Sequence, residues 1–375
     1  MRPLRVLHLP TNIRWIMDVI IEGQNEIGIE TQKFILCGKS FYAPLRDPNG
    51  RYRGWPEFVK QLMRFMKKYV SALLWADVVH WQYCTRFWPK ESALRKLDFL
   101  MLKLLRKPAI AQFHGMDFRR NYDWAIENPL WLEAFSESEM EYFENVAYVT
   151  QRDFSEAGLL LAMGYGMLPS VLPENLDRAV LLERSVDIAN LSPAFNRASE
   201  TVVIMHGPSL PQSKGTKYVE SAIEEIEKLR KIKFVLLKDM DHDEVVEKLG
   251  EADIVIDQLL NGDYGLASIE ALARGSAVVT YIADSLKSAY PSSLPIVSAT
   301  PDTLVDVLLD LIDNPEKRNE IAKQGYAYAY GVHSLESTIP EVLRAYRQAA
   351  VERRRYLVVK KIDAALARCR RYKWR

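Results

Sequence analysis

Cysteine is scarce in this chain: there are three, Cys37, Cys84 and Cys369. They are odd in number and far apart. That excludes a disulfide framework and any metal-ligand spacing, and it fits a reducing cytoplasm. Long hydrophobic runs are missing as well. No uninterrupted apolar stretch approaches the roughly 20 residues that a membrane span needs. The apolar run in the N-terminal MRPLRVLHLP is too short for a signal peptide and lacks a cleavage site. Charge of one sign is not in excess: 50 Lys and Arg stand against 49 Asp and Glu, so no global field points at nucleic acid. There is no repeat of solenoid period and no low-complexity tract. What remains is an ordinary globular composition over 375 residues, enough for two domains with full cores.

Along the first half, strand-like and helix-like segments alternate. Strands are expected at 4–9, 31–36, 77–81, 108–113 and 146–150, with a short one at 171–172. Helices are expected at 13–24, 57–75, 91–107, 129–144 and 152–163. After an irregular stretch at 177–199 a second set begins. It has strands at 201–205, 233–238, 253–257 and 295–298 and helices at 217–229, 243–249, 303–312 and 315–330. Alternation of this kind argues for parallel sheets covered by helices, an α/β class with two doubly wound domains. Ligands of such sheets bind at the carboxyl ends of the strands.

The stretch GDYGLASIEALARG, residues 262–275, lies between two apolar runs, ADIVIDQ and SAVVTYI. It reads as strand, glycine-bearing loop, helix, strand. Gly262 and Gly265 allow the backbone to approach something closely, and the helix N-terminus that follows suits a phosphate. Glu270, one turn into the helix, can accept two hydrogen bonds from a vicinal diol such as a ribose. The alternative is a solvated helix residue beside ordinary turn glycines.

This stretch resembles the signature of retaining GT-B glycosyltransferases of the family 4 type. Tyr264, Gly265, Leu266, Glu270, Ala271 and Gly275 fall in its register. The first glutamate of the family's pair falls on Gly262, and the glycine after it on Asp263. The resemblance implies the GT-B fold, two Rossmann-like domains facing across a cleft. It divides the chain into an acceptor-side domain at 1–178, a donor-binding domain at 179–335 and a helix at about 336–352 that crosses back. It also implies a role for each matching residue. His114, in Phe113-His114-Gly115-Met116-Asp117, would contact the transferred sugar. Lys214 and Gly215, with Ser209 earlier in the same loop, would meet the donor's diphosphate. The family's earlier arginine in that loop is replaced by Gly207-Pro208, and Lys217 is a candidate to compensate. Glu270 would hold the ribose. Gly265 and Leu266 would offer backbone N–H groups, Tyr264 would belong to the donor site, and Asp263 is a candidate replacement for the absent glutamate.

Other matches are weaker. The loop 9–12, LPTN, lacks the glycines usual in the family, and capping of the next helix by Thr11 and Asn12 is the simpler reading. Residues 172–177, LPENLD, resemble the turn that ends the first domain. His80 reads as a core residue. Residues 238–243, KDMDHD, would lie against the nucleobase. Their Asp and His side chains read as helix caps rather than metal ligands, and no metal or cofactor is implied.

Charge is concentrated at the C-terminal end. From 352 to 375 ten Lys or Arg stand against two acids, a local net charge of +8, with Tyr356, Leu357, Val359, Leu366, Tyr372 and Trp374 interleaved. Basic amphipathic segments also occur at 60–69 and 95–107. Such segments suit an anionic membrane surface, so 353–375 is expected to be a basic amphipathic tail, dispensable for the fold. The alternative is a helix crossing back to the first domain, or one that docks a protein partner.

The expectation is therefore a cytoplasmic retaining glycosyltransferase, peripheral at the inner face of the membrane. It would move a sugar from a nucleotide diphosphate, UDP before GDP, to a glycan or polyprenyl-linked acceptor in envelope or exopolysaccharide assembly. The nucleotide-sugar would be a substrate, not a cofactor. Two rivals stand beside it. One is a nucleotide-sugar epimerase of the same fold, which the motifs fit less well. The other is a nucleotide-sugar-binding partner subunit with little or no activity.

Overall fold

Two parallel sheets organise the chain in a computed structural model that describes residues 2–12, 15–35, 55–85, 87, 96–167, 178–195, 201–291 and 293–374. The first sheet contains β1 (Arg5–Pro10), β2 (Glu30–Lys33), β3 (Val78–Gln82), β4 (Ala109–Gln112), β5 (Leu160–Met163) and β6 (Ala179–Leu181), in the order 2-1-3-4-5-6. The second contains β7 (Val202–His206), β8 (Ile232–Leu236), β9 (Ile254–Ile256) and β10 (Ala277–Val279), in the order 10-9-7-8. The register places Val6 beside Val78 and Ile204 beside Ile254. Along β3, Val78 enters one core cluster and Val79 and Trp81 the other. Both faces of the sheet are thus covered at β3, which is why its inner strands read as apolar runs while the edge strand β2, ETQK, does not.

The helices of the first half are α1 (Ile16–Glu26), α2 (Trp55–Trp75), α3 (Leu97–Leu104), α4 (Asn121–Glu127) and α5 (Glu137–Glu156). Those of the second half are α6 (Pro211–Lys214), α7 (Thr216–Glu227), α8 (His242–Leu249), α9 (Leu266–Ala273), α10 (Asp284–Lys287), α11 (Leu304–Asp313) and α12 (Pro315–His333). Then α13 (Leu335–Glu352) and α14 (Tyr356–Cys369) return to the first sheet. Tyr346 on α13 is fully buried and meets His80 of β3 through its hydroxyl at 2.9 Å, so His80 is a core residue as expected.

The clearest failure of the sequence reading lies between 146 and 163. Residues 146–150 are helix, not strand, and 160–163 are strand, not helix. A capping box between Ser136 and Glu139 starts α5, and Met140, Ala147, Thr150, Gln151 and Phe154 then bury one helical face through the β-branched stretch. The short run Leu160–Met163 is buried on both sides, and for such a run periodicity does not separate strand from helix. The reading also missed α4 and β6. Residues 295–298 contribute only a single bridge, between Val279 and Val297.

The expected free tail is also corrected. α14 packs along α13 and buries Val358, Val359, Ile362, Ala365 and Cys369. Lys361 Nζ donates to Asp77 Oδ2 at 2.6 Å, Arg368 Nε to Ile27 O at 2.7 Å, and Arg353 Nη2 to Gly158 O at 3.1 Å. Three of the basic residues thus anchor the segment to the first domain. Among the described residues no helix is long and apolar enough to cross a membrane. The turn at 172–177, the strand at 171–172, Cys37 and the N-terminal part of the helix expected at 91–107 lie outside the described residues.

Candidate active site

The carboxyl ends of both sheets face one cleft, where two cavities adjoin at Ile16 and Leu266, which line both. The first has a volume of about 310 Å³. It collects His114, Ser209, Lys214, Asp263, Tyr264, Gly265 and Leu266 from the expected set, with Asp117, Arg119 and Arg184. The second, about 340 Å³, contains Glu270 with His242, Trp15, Val19, Leu191 and Val246. Gly215 lines neither. Its N–H bonds Gln212 O at 3.2 Å where α6 turns into α7, so it shapes the loop instead of contacting a ligand.

His114 follows β4 and is held by its backbone, because Asp117 Oδ1 accepts from the N–H groups of His114 at 3.0 Å and Gly115 at 2.8 Å. Both ring nitrogens of His114 are buried without a hydrogen-bond partner among the described residues. Burial, reinforced by the nearby Arg184 cation, depresses its pKa to about 3, so the ring is neutral. A neutral imidazole in a cavity wall can donate one hydrogen bond and accept another. Burial pushes Asp117 up to about 7, although the two N–H bonds work against that. Its Oδ2 is also without a partner among the described residues.

Lys214 ends α6 and reaches across to Asp257, at the end of β9. Asp257 was not singled out in the sequence reading. Its Oδ2 also accepts from Gly265 N at 2.9 Å and Ser268 Oγ at 2.6 Å. Burial alone would raise the Asp257 pKa, but Lys214, Ser268 and the Gly265 N–H together hold it at about 2. The expectation that Gly265 offers its N–H to the donor is therefore corrected: an internal carboxylate already occupies the start of α9. The close approach that requires glycine at 265 is also to Asp257, since a Cβ there would lie 2.8 Å from Oδ2.

Gly262 needs glycine for a different reason. Its φ is +72°, and a Cβ would meet Asn128 Nδ2 and Trp124 Cζ2 at 2.8 Å. Those two side chains belong to the first domain and grip the loop: Trp124 Nε1 donates to Asn261 O at 3.2 Å and Asn128 Nδ2 to Leu260 O at 2.8 Å. Asp263 is committed as well. Its carboxylate accepts from Tyr290 Oη and from Tyr264 N at 2.7 Å, and it pairs with Arg119 Nη2 at 3.5 Å. Tyr264 turns its side chain into the core, where its hydroxyl bonds His333 Nε2 at 3.1 Å and Tyr328 Oη at 3.2 Å. Both residues line the cavity, and these bonds tie their side chains to the protein itself.

In the second cavity Glu270 Oε1 lies 2.6 Å from His242 Nε2. That bond raises the His242 pKa above its ordinary value. The helix-capping role expected in 238–243 falls to Asp241, which forms a capping box with Glu244. After β1, Asn12 Oδ1 accepts from Met17 N at 3.2 Å near the start of α1, but the N-cap position itself is Trp15, which makes no side-chain cap bond, so Thr11 and Asn12 are not the cap residues expected. Lys217 is not in the cleft. It lies exposed over the Tyr218 ring, 3.7 Å from Glu133. Among the described residues no cluster of three or more His, Cys, Asp or Glu is placed to hold a metal ion.

Solved structures share this arrangement over nearly the whole chain. Sucrose-phosphate synthase from Thermosynechococcus elongatus superposes with a TM-score of 0.64 at 12% identity, covering 94% of this chain and 100% of that one. The chain has the GT-B fold. Anabaena HepE, solved in complex with UDP-glucose, superposes with a TM-score of 0.52 at 12% identity over 91% of this chain and 98% of that one. A Rickettsia africae glycosyltransferase gives 0.53 at 14% identity over 93% and 99%. In sequence, 150 residues are 30% identical to D-inositol 3-phosphate glycosyltransferase from Corynebacterium urealyticum, 39% of this chain and 34% of that protein. The match thus spans about a third of that relative's length. No family model matches the chain. The GT-B fold accounts for the cleft between the two sheets and for the return of α13 and α14 to the first.

Proposed function

We propose that the chain is a retaining glycosyltransferase that uses a nucleoside diphosphate sugar. The observation that carries this reading is the pair of adjoining cavities. One has a carboxylate, Glu270, placed for a ribose diol among apolar side chains suited to a nucleobase. The other has cations and an unsatisfied neutral histidine, suited to a diphosphate and its sugar. Leu266 and Ile16 stand where the two halves of one donor would join. Lys214 and its neighbours would stabilise the charge that grows on the departing diphosphate, an effect worth a few kcal/mol per group in a water-poor site. UDP is the first nucleotide to test, because a structural relative is known with UDP-glucose, and GDP is the second. The nucleotide-sugar is a substrate, and the chemistry proposed needs no resident cofactor or metal.

The acceptor would enter from the first domain, and a glycan or polyprenyl-linked sugar at the inner face of a membrane, as in envelope or exopolysaccharide assembly, fits the surface there. Arg106 Nη2 donates to Arg353 O at 3.4 Å and so joins the segment after α3 to the turn between α13 and α14. Exposed Leu100, Leu104, Tyr356 and Leu357 lie on α3 and α14, with exposed Arg354, Arg355 and Lys360 on or beside α14. Apolar side chains among cations fit an anionic bilayer.

A second reading is a nucleotide-sugar-binding subunit without turnover. The observation in its favour is local: glycine stands at 262, and the Asp263 carboxylate is fully engaged. Titration with a panel of UDP- and GDP-sugars, followed by product analysis, separates the two. Transfer or slow donor hydrolysis supports the enzyme. Binding without either supports the subunit, and absence of binding overturns both.

A further inference from the structure

Among the described residues three cations line the diphosphate half of the cleft, and they are not equivalent. Lys214 is paired with Asp257. Arg119 is paired with Asp263 and donates to Gly166 O at 2.5 Å. Arg184 differs. Among the described residues no carboxylate lies within ion-pair distance of its guanidinium, whose one hydrogen bond there is from Nη2 to Tyr264 O at 3.1 Å, although burial is opposed by Asp263 and Glu183, which lie close enough to raise its pKa. The group sits 5.5 Å from the Tyr264 ring centroid and lines the same cavity as His114, Ser209 and Lys214. It is close enough to His114 to depress that residue's pKa.

Arg184 is also held from behind. His333 Nδ1 lies 2.9 Å from Arg184 O, and His333 Nε2 lies 3.1 Å from the Tyr264 hydroxyl. His333 is neutral, its pKa lowered to about 3 by burial, so one nitrogen donates and the other accepts. The carbonyl takes the N–H and the hydroxyl bonds the remaining nitrogen. Tyr264, His333 and Arg184 thus form a closed ring of bonds that fixes the arginine against the loop opening α9.

We propose that Arg184, carried by the connection between the two sheets, supplies the second cation for the donor diphosphate. This rests on the nucleoside diphosphate reading above and deepens it. The loop after β7, where an arginine is expected by resemblance, has Gly207-Pro208 and offers no cation until Lys214. A guanidinium presents several N–H donors in one plane and matches phosphate oxygens in pairs. Placed on the connection, it would also make diphosphate binding pull the two sheets' loops together.

The test is calorimetric titration of the whole chain with UDP, GDP and UMP. In Arg184→Ala the affinity for UDP should fall at least tenfold, while that for UMP, which lacks the second phosphate, should fall less than threefold. Arg184→Gln, which can keep a bond to Tyr264 O without the charge, should show the same split, and Arg184→Lys should recover part of the loss. Unchanged UDP affinity in the Gln variant would overturn the proposal. So would equal losses for UDP and UMP, which would make Arg184 a structural prop. If the unaltered chain binds neither UDP nor GDP, the donor reading itself falls and takes this inference with it.

Discussion

Lys214 and Asp257 form a buried ion pair at the base of the cleft, and Gly265 N–H and the Ser268 hydroxyl complete the carboxylate's partners. Lys214→Ala should therefore do two things. It should lower donor turnover by about 10²-fold, as loss of one electrostatic stabiliser does. It should also destabilise the fold by about 3–5 kcal/mol, because Asp257 is left buried and uncompensated. Denaturant melts and initial rates measure both. A paired Lys214→Met, Asp257→Leu change should recover much of the stability and none of the activity. Full stability in Lys214→Ala would contradict the pairing.

His242 and Glu270 set a pH dependence. The folded-state pKa of His242 is raised by its bond to Glu270. The stability from this pair is thus complete below pH 6.5 and is lost as pH rises through the raised value. The charged imidazole also competes with a ribose for Glu270. Donor affinity should therefore improve as pH rises above about 6.5, and His242→Ala should flatten that trend. UDP titrations of both forms at pH 6, 7 and 8 check it. Parallel pH profiles would remove His242 from the site.

Gly262→Glu, which restores the glutamate usual in the resembling family, should harm this protein. The φ of +72° costs a non-glycine residue about 1–3 kcal/mol. The new side chain would also force Trp124 and Asn128 off the loop they hold. The expected outcome is a lower melting temperature with no gain in turnover. A stable, faster variant would show that the loop adapts and that the departure at 262 is what limits activity.

Strands β7 to β10 were legible in the sequence because they are short apolar runs bounded by clear turn residues, whereas the four-residue helices α6 and α10 were not. The site was legible only in outline. His114, Lys214 and Glu270 sit in the cleft, but each partner that decides its chemistry is distant in sequence: Arg184, Asp257 and His242. Asp257 ended an apolar run beside the motif, which was the available signal. Nothing local marks α4 as the clamp on the 260–262 loop, since Trp124 and Asn128 act across the cleft. The basic C-terminal segment misled for a related reason. Its charge pattern is amphipathic whether the apolar face meets lipid or protein, and here it meets α13.

Deleting residues 353–375 should for that reason unfold or aggregate the first domain. The deletion removes a helix with six buried side chains, together with the Lys361–Asp77 pair. Charge reversal at Arg354, Arg355 and Lys360 is the usable test of membrane affinity. It should leave the melting temperature nearly unchanged and abolish salt-sensitive sedimentation with anionic vesicles. Sedimentation that persists would place the contact elsewhere. A soluble, folded truncation would contradict the docked helix.

The most direct measurement of the central claim is calorimetric titration of UDP and GDP into the unaltered chain and into Glu270→Ala. The account predicts single-site binding of one of the two. It predicts a loss of roughly 1.5–3 kcal/mol in the variant, the value of hydrogen bonds to a charged group. Equal binding by both forms, or no binding of either nucleotide, would contradict the assignment of the two cavities to one nucleotide-sugar donor.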